Sequence, residues 1–107
     1  MPQYLIRFVH SSDQCPTANS KVRERVLRGM PAIPDLASKL GLKFVIGPLV
    51  LASEHEGFAV VESDKAESVE DFVMQSGLMQ WNSVRITPTQ TLPEALNHLD
   101  SMPPPLY

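Results

Sequence analysis

Three residues of types that bind transition metals are the most reactive groups in the sequence: His10, Cys15 and His55. Two imidazoles and one thiolate are a ligand set that suits zinc or copper, and three protein ligands would leave one position open for water or a substrate. Glu54 or Glu56 could supply a fourth ligand or could orient a histidine. No pair has a recognised spacing such as Cys-x-x-Cys, so spacing alone does not identify the metal. The first hypothesis is a site for zinc or another divalent transition metal.

The same residues permit chemistry without a metal. Cys15 precedes the first predicted helix, where a thiolate is stabilised, and it could act as a nucleophile with His10 as its base. Alternatively, His10 could be the catalytic acid or base of an apolar small-molecule pocket. The side chains that could line that pocket are Tyr4, Phe8, Phe58, Phe72, Met74 and Trp81. The structural alternative makes His10 a hydrogen-bonded residue at a strand end, Cys15 a buried filler and His55 a solvated turn residue.

The elements that must position these residues follow from the apolar pattern. Residues 4–10 divide at period two into one face with Tyr4, Ile6, Phe8 and His10 and another with Leu5, Arg7 and Val9, which predicts a strand. Apolar residues recur at helical spacing over 19–40, but Pro31 and Pro34 must kink or split that helix because each lacks a backbone N–H. The loop between this strand and this helix contains Cys15.

Three further strands are predicted, at residues 43–52, 57–62 and 82–87. The Gly47-Pro48 pair inside the first of them favours an edge position or a bulge. A helix is expected between Asp64 and Gly77, with Asp64 and Glu67 at the spacing of a capping box. A short helix from Thr91 to Leu99 follows the last strand.

This order of elements, β-α-β-β-α-β and a short C-terminal helix, is the split βαβ arrangement. With right-handed crossovers it predicts an α+β, ferredoxin-like domain whose four-stranded antiparallel sheet has the spatial order 4-1-3-2. We expect that domain to comprise residues 1–100, followed by a proline-rich tail at 101–107.

The topology also predicts which residues meet. The end of the first strand, the turn after the second strand and the start of the fourth strand should lie at one end of the sheet. These places carry His10, His55 and the pair Trp81 and Asn82, and the loop after the first strand adds Cys15. We therefore expect a polar pocket at this end, in which Trp81 and Asn82 anchor the fourth strand.

The chain resembles a known group of proteins. The segments at 57–62, 76–82 and 84–88 read Gly-Phe-Ala-Val-Val-Glu, Ser-Gly-Leu-Met-Gln-Trp-Asn and Val-Arg-Ile-Thr-Pro. Together with the order of elements, they are similar to small proteins of unknown function in the dimeric α/β-barrel superfamily. The resemblance implies a homodimer in which two sheets pack face to face. The superfamily includes isomerases and oxygenases, so it also implies a small-molecule partner.

Composition narrows the possible partners. The formal net charge is -3 and no basic stripe is present, which argues against nucleic acid. The longest apolar run, at 44–52, is interrupted by Gly47 and Pro48 and is too short for a bilayer, so no membrane partner is expected. One cysteine excludes an internal disulfide, and no signal-peptide pattern is present, which together predict a cytoplasmic protein. No glycine-rich phosphate loop or other cofactor motif is present.

Overall fold

The computed structural model describes residues 1–107 and contains one sheet of four strands. The strands are β1 (Gln3–Val9), β2 (Lys43–Leu51), β3 (Glu56–Glu62) and β4 (Ser83–Thr89). All neighbours are antiparallel and lie in the order β2-β3-β1-β4. The α+β class and the four-stranded antiparallel sheet are thus as the alternating sequence predicts.

The helices are α1 (Ser20–Gly29), α2 (Ile33–Lys39), α3 (Ala66–Gln75) and α4 (Leu92–Asn97). The predicted break at the prolines is confirmed: a 3-10 turn at Met30–Ala32 separates α1 from α2. Gly77, at a φ of 81°, turns the chain after α3. None of these helices combines the length and the apolar composition needed to cross a membrane.

Two helix caps are formed by side chains, and one predicted cap is wrong. The Asn19 side chain accepts hydrogen bonds from the first turn of α1, and Thr91 accepts one from Glu94 in α4. Asp64 does not cap α3, because the cap position is Lys65 and no side chain bonds there. The Ser63 hydroxyl binds the backbone of Lys65 instead, which holds Lys65 extended and moves the start of the helix.

The core lies between the helices and one face of the sheet. Alternation along β1 and β3 turns every second side chain toward the helices. Val61 in β3 and Val69 in α3 are completely buried at the centre of this layer. The remaining buried members of the cluster are Tyr4, Ile6, Phe8, Ala37, Leu42, Phe72 and Val73.

The opposite face of the sheet carries an apolar patch formed by residues of β1, β2 and β3. In the register of the ladder, Leu5 pairs with Val60, Val60 with Ile46, and Phe58 with Leu49. Ile46 and Leu49 remain 46% and 48% exposed. The edge strand β2, which carries them, has an irregular register between Phe44 and Leu49, as the glycine-proline pair predicts.

Candidate metal site

The three candidate metal ligands named from the sequence lie together at one end of the sheet. His10 is the first residue after β1, and its backbone N–H donates to the His55 carbonyl oxygen at 2.9 Å. This bond holds the β2–β3 turn, which contains His55, against the end of β1. Cys15 follows the 3-10 turn Ser12–Gln14 in the loop after β1. One potential ligand atom from each of the three residues lies within 4.8 Å of the other two.

The His10 ring is oriented by Asn82, which immediately precedes β4. The distance between His10 Nδ1 and Asn82 Oδ1 is 2.9 Å. Asn82 is 9% exposed, and its Nδ2 donates to the Leu78 carbonyl oxygen at 3.2 Å. A carbonyl oxygen can only accept, so the amide nitrogen must face Leu78 and the amide oxygen must face His10. His10 Nδ1 is therefore the donor, and in the neutral ring the lone pair is on Nε2.

The other nitrogen of the ring, His10 Nε2, is buried and has no hydrogen-bond partner in the protein. A buried polar atom without a partner costs free energy, because it has lost water and gained nothing in exchange. Two aromatic rings flank His10: Trp81, with centroids 5.1 Å apart, and His55, at 5.4 Å. An unpaired lone pair next to a thiol and a second imidazole is the arrangement that a metal ion would satisfy.

Cys15 is held as a reactive thiol and is only 8% exposed. Its Sγ lies 3.0 Å from Thr17 Oγ1. Hydrogen bonds from the Thr17 side chain and then from the Thr17 backbone lower the pKa of Cys15 from 9.0 to about 6. Because the thiolate is the form that binds a metal, this environment favours coordination at neutral pH.

The carboxylates considered as a fourth ligand lie outside the group. Glu54 and Glu56 do not place an oxygen within the same 4.8 Å cluster. Glu56 is turned away and forms an ion pair with Arg7 at 2.8 Å. The third histidine, His98, follows α4 and is not in the cluster. The protein thus offers three ligands, and a metal held there would keep a position for water or another molecule.

The side chains considered as the lining of an apolar pocket are divided between different environments. Tyr4, Phe8 and Phe72 belong to the packed core. Phe58 pairs with Arg7 on the opposite face of the sheet, and Met74 is 63% exposed. Of the six, only Trp81 lies against His10. These residues do not enclose one cavity beside the histidine.

Two residues at the site have roles that the sequence analysis missed. Asn82 was placed at the correct end of the sheet but was treated as an anchor for the last strand. Thr17, two residues after Cys15, was not considered. The proximity of Thr17 in the chain was a usable signal, since a hydroxyl two positions along can hydrogen-bond a thiol. The contact between His10 and Asn82 joins residues 72 positions apart and has no local signal.

A scan against known protein families finds no matching family, and a search of curated proteins finds no match either.

Proposed function

We propose that this is a metal-binding protein in which His10, Cys15 and His55 hold a divalent transition metal, with zinc as the first choice. The observation that carries the proposal is the buried, unpartnered Nε2 of His10 beside the Cys15 thiol and the His55 ring. The Cys15 thiol and Nδ1 of His10 each have a protein partner, whereas this buried lone pair has none. A ligand set with two nitrogens and a sulfur favours zinc or copper over magnesium or calcium.

The geometry requires only a small adjustment to hold zinc. With Zn–S of about 2.3 Å and Zn–N of about 2.0 Å, tetrahedral ligand atoms are roughly 3.5 Å apart. The ligand atoms here are at most 4.8 Å apart, so closure requires a movement of about 1.3 Å or less. His55 is exposed in a turn and is free to make most of that movement.

The alternative function is metal-free. Because Asn82 leaves the Nε2 lone pair of His10 unprotonated, His10 could act as the general base of a small-molecule enzyme, of isomerase or oxygenase type. A small ligand would then occupy the space beside Cys15 that the metal fills in the first proposal. Measuring the metal content of the purified protein distinguishes the two proposed functions directly.

Zinc titration of the purified protein, in calorimetry and with elemental analysis, tests the metal proposal. We expect one metal per chain and a strong loss of affinity in Cys15→Ser, His10→Ala and His55→Ala. His98→Ala is the matched control, because this histidine lies outside the cluster. Binding should also weaken as the pH falls, since protons compete for imidazole and thiolate. Equal zinc affinity in all four variants would refute the site, and the metal-free function would then be favoured.

We also propose that the chain is a ferredoxin-like domain that forms a homodimer of the dimeric α/β-barrel type. The strand order β2-β3-β1-β4 and the uncovered apolar sheet face support this proposal. That face also carries both charge signs, from Arg7 and Arg85 and from Glu62, so a two-fold related copy can place unlike charges opposite one another. We place the protein in the cytoplasm, where the Cys15 thiol would stay reduced.

The dimer is tested by sedimentation of the wild type and of Leu49→Lys, which adds a charge to the exposed apolar face. We expect a dimer for the wild type at micromolar concentration and a monomer for the variant. Lys43→Ala, a change at the polar end of the same edge strand, is the control. A monomeric wild type would refute the assembly without affecting the metal site.

A further inference from the structure

We propose that Asn82 is the positioning residue of the metal site: it fixes the tautomer of His10 so that the Nε2 lone pair is directed to the metal. The inference rests on the proposed metal function and adds to it a residue that is not itself a ligand. The Asn82 side chain hydrogen-bonds His10 and Leu78, and it acts on the site through His10.

The Leu78 carbonyl oxygen can only accept hydrogen bonds. Asn82 donates to it twice, from its backbone N–H at 3.1 Å and from Nδ2 at 3.2 Å. A flipped amide would place two oxygens against each other at this position, which costs the hydrogen bond and adds repulsion. The amide of Asn82 is therefore locked with its oxygen toward His10.

The locked oxygen then decides where the proton of His10 resides. An oxygen at 2.9 Å from Nδ1 is satisfied only when Nδ1 carries the hydrogen. The backbone of His10 is also held, by its bond to the His55 carbonyl oxygen, and the Asn82 oxygen holds the ring itself. Metal-bound histidines commonly donate their second ring N–H to an oxygen acceptor in this way, which sets both orientation and tautomer.

The same geometry explains why a buried asparagine lies at this point of the chain. If Asn82 served only to begin β4, its side chain would not need to hydrogen-bond the His10 ring. His10 Nε2 is unpaired while Nδ1 is fully satisfied, so the polar interactions are arranged around one free lone pair. That asymmetry fits a ligand, because a metal-binding imidazole keeps one unprotonated nitrogen and donates from the other.

The test compares Asn82→Leu, which removes the acceptor, with Asn82→Asp, which keeps an oxygen that can accept from Nδ1. We expect Asn82→Leu to lose roughly 10- to 100-fold in zinc affinity. Asn82→Asp should recover only part of that loss, because it restores the acceptor for Nδ1 but places its second oxygen against the Leu78 carbonyl oxygen. Ser63→Ala is the control for loss of a buried polar side chain, because Ser63 hydrogen-bonds near the start of β1, at the far end of the sheet. Unchanged affinity in Asn82→Leu would overturn the proposal.

A second measurement needs no metal and no variant. Side-chain ¹⁵N–¹H correlation spectra of the zinc-free wild type report which nitrogen of His10 carries the proton, and we expect Nδ1. A proton on Nε2 would overturn the inference even if zinc binds. If the wild type does not bind zinc but carries the proton on Nδ1, the metal function fails while the role of Asn82 in orienting His10 stands. The spectra also decide the matter if Asn82→Leu does not fold.

Discussion

Removing the hydroxyl of Thr17 should raise the pKa of the Cys15 thiol. The Thr17 side chain is the largest cause of the lowered pKa, followed by the Thr17 backbone. At the lowered pKa of about 6, about nine-tenths of Cys15 is thiolate at pH 7, against roughly one-hundredth at the ordinary pKa of 9.0. In Thr17→Val the backbone contribution remains, so the pKa should lie between these two values.

The assay is the ultraviolet absorbance of the thiolate, titrated against pH in the presence of a chelator. Thr17→Ser keeps the hydroxyl and should titrate like the wild type. Thr87→Val, a similar change at an exposed position of β4, should leave the titration unchanged. A wild-type titration near 9.0, or an identical curve for Thr17→Val, would refute the reasoning, because no other group replaces the Thr17 hydrogen bond at the sulfur.

The same shift predicts how the stability of the metal-free protein depends on pH. A thiol whose pKa is lower in the folded state than in the unfolded state contributes stability that is fully present above 9.0 and is lost as the pH falls through about 6. Between these values the unfolded chain binds more protons, so the urea midpoint should rise with pH. Cys15→Ser should show a smaller rise over this range. If the urea midpoint rose equally with pH in the wild type and in Cys15→Ser, the lowered pKa of Cys15 would be contradicted.

Three further changes test the core, the sheet and the metal. Ile6→Ala should cost about 3 kcal/mol in urea unfolding, because Ile6 is 2% exposed; a cost near zero would contradict its place in the core. Gly57→Ala should cost about 2 kcal/mol, because its Cβ would lie 2.6 Å from the Leu49 carbonyl oxygen. Gly29→Ala, with open space around it, should not lower the free energy of unfolding. Equal losses of stability in the Gly29 and Gly57 variants would argue against the close contact at Gly57. Chelation should lower the melting temperature of the zinc-loaded wild type but not of Cys15→Ser; equal effects would argue against zinc on Cys15.

The sheet was predictable because its signals are local. Alternation along residues 4–10 and 57–62 gives both the strands and their buried faces. Pro31 and Pro34 predict the break between α1 and α2 because a missing N–H acts within one turn of helix. The start of α3 was not predictable from the Asp64 pattern, because Ser63 competes for the same backbone groups.

The sequence predicts where the site lies in the fold but not how its side chains are oriented. Topology places the end of β1 beside the β2–β3 turn, so the meeting of His10 with His55 follows from the order of strands. The choice between nitrogens of His10 does not follow from that order, since it depends on the side-chain amide of Asn82 and on the Leu78 carbonyl behind it. Directional contacts between distant residues are invisible to periodicity, which reports only the face on which a residue lies.

The fixed and adjustable parts of the site suggest how a metal would enter. His10 is fixed by a backbone bond and by Asn82, and Cys15 is held by Thr17. His55 is the exposed member, and its ring is held by no side-chain hydrogen bond. A metal would thus meet two preset ligands and draw in the third, so little side-chain freedom remains to be lost on binding. His55→Ala should then weaken binding mainly through faster release, whereas His10→Ala should also remove the buried lone pair that would be preset for the metal.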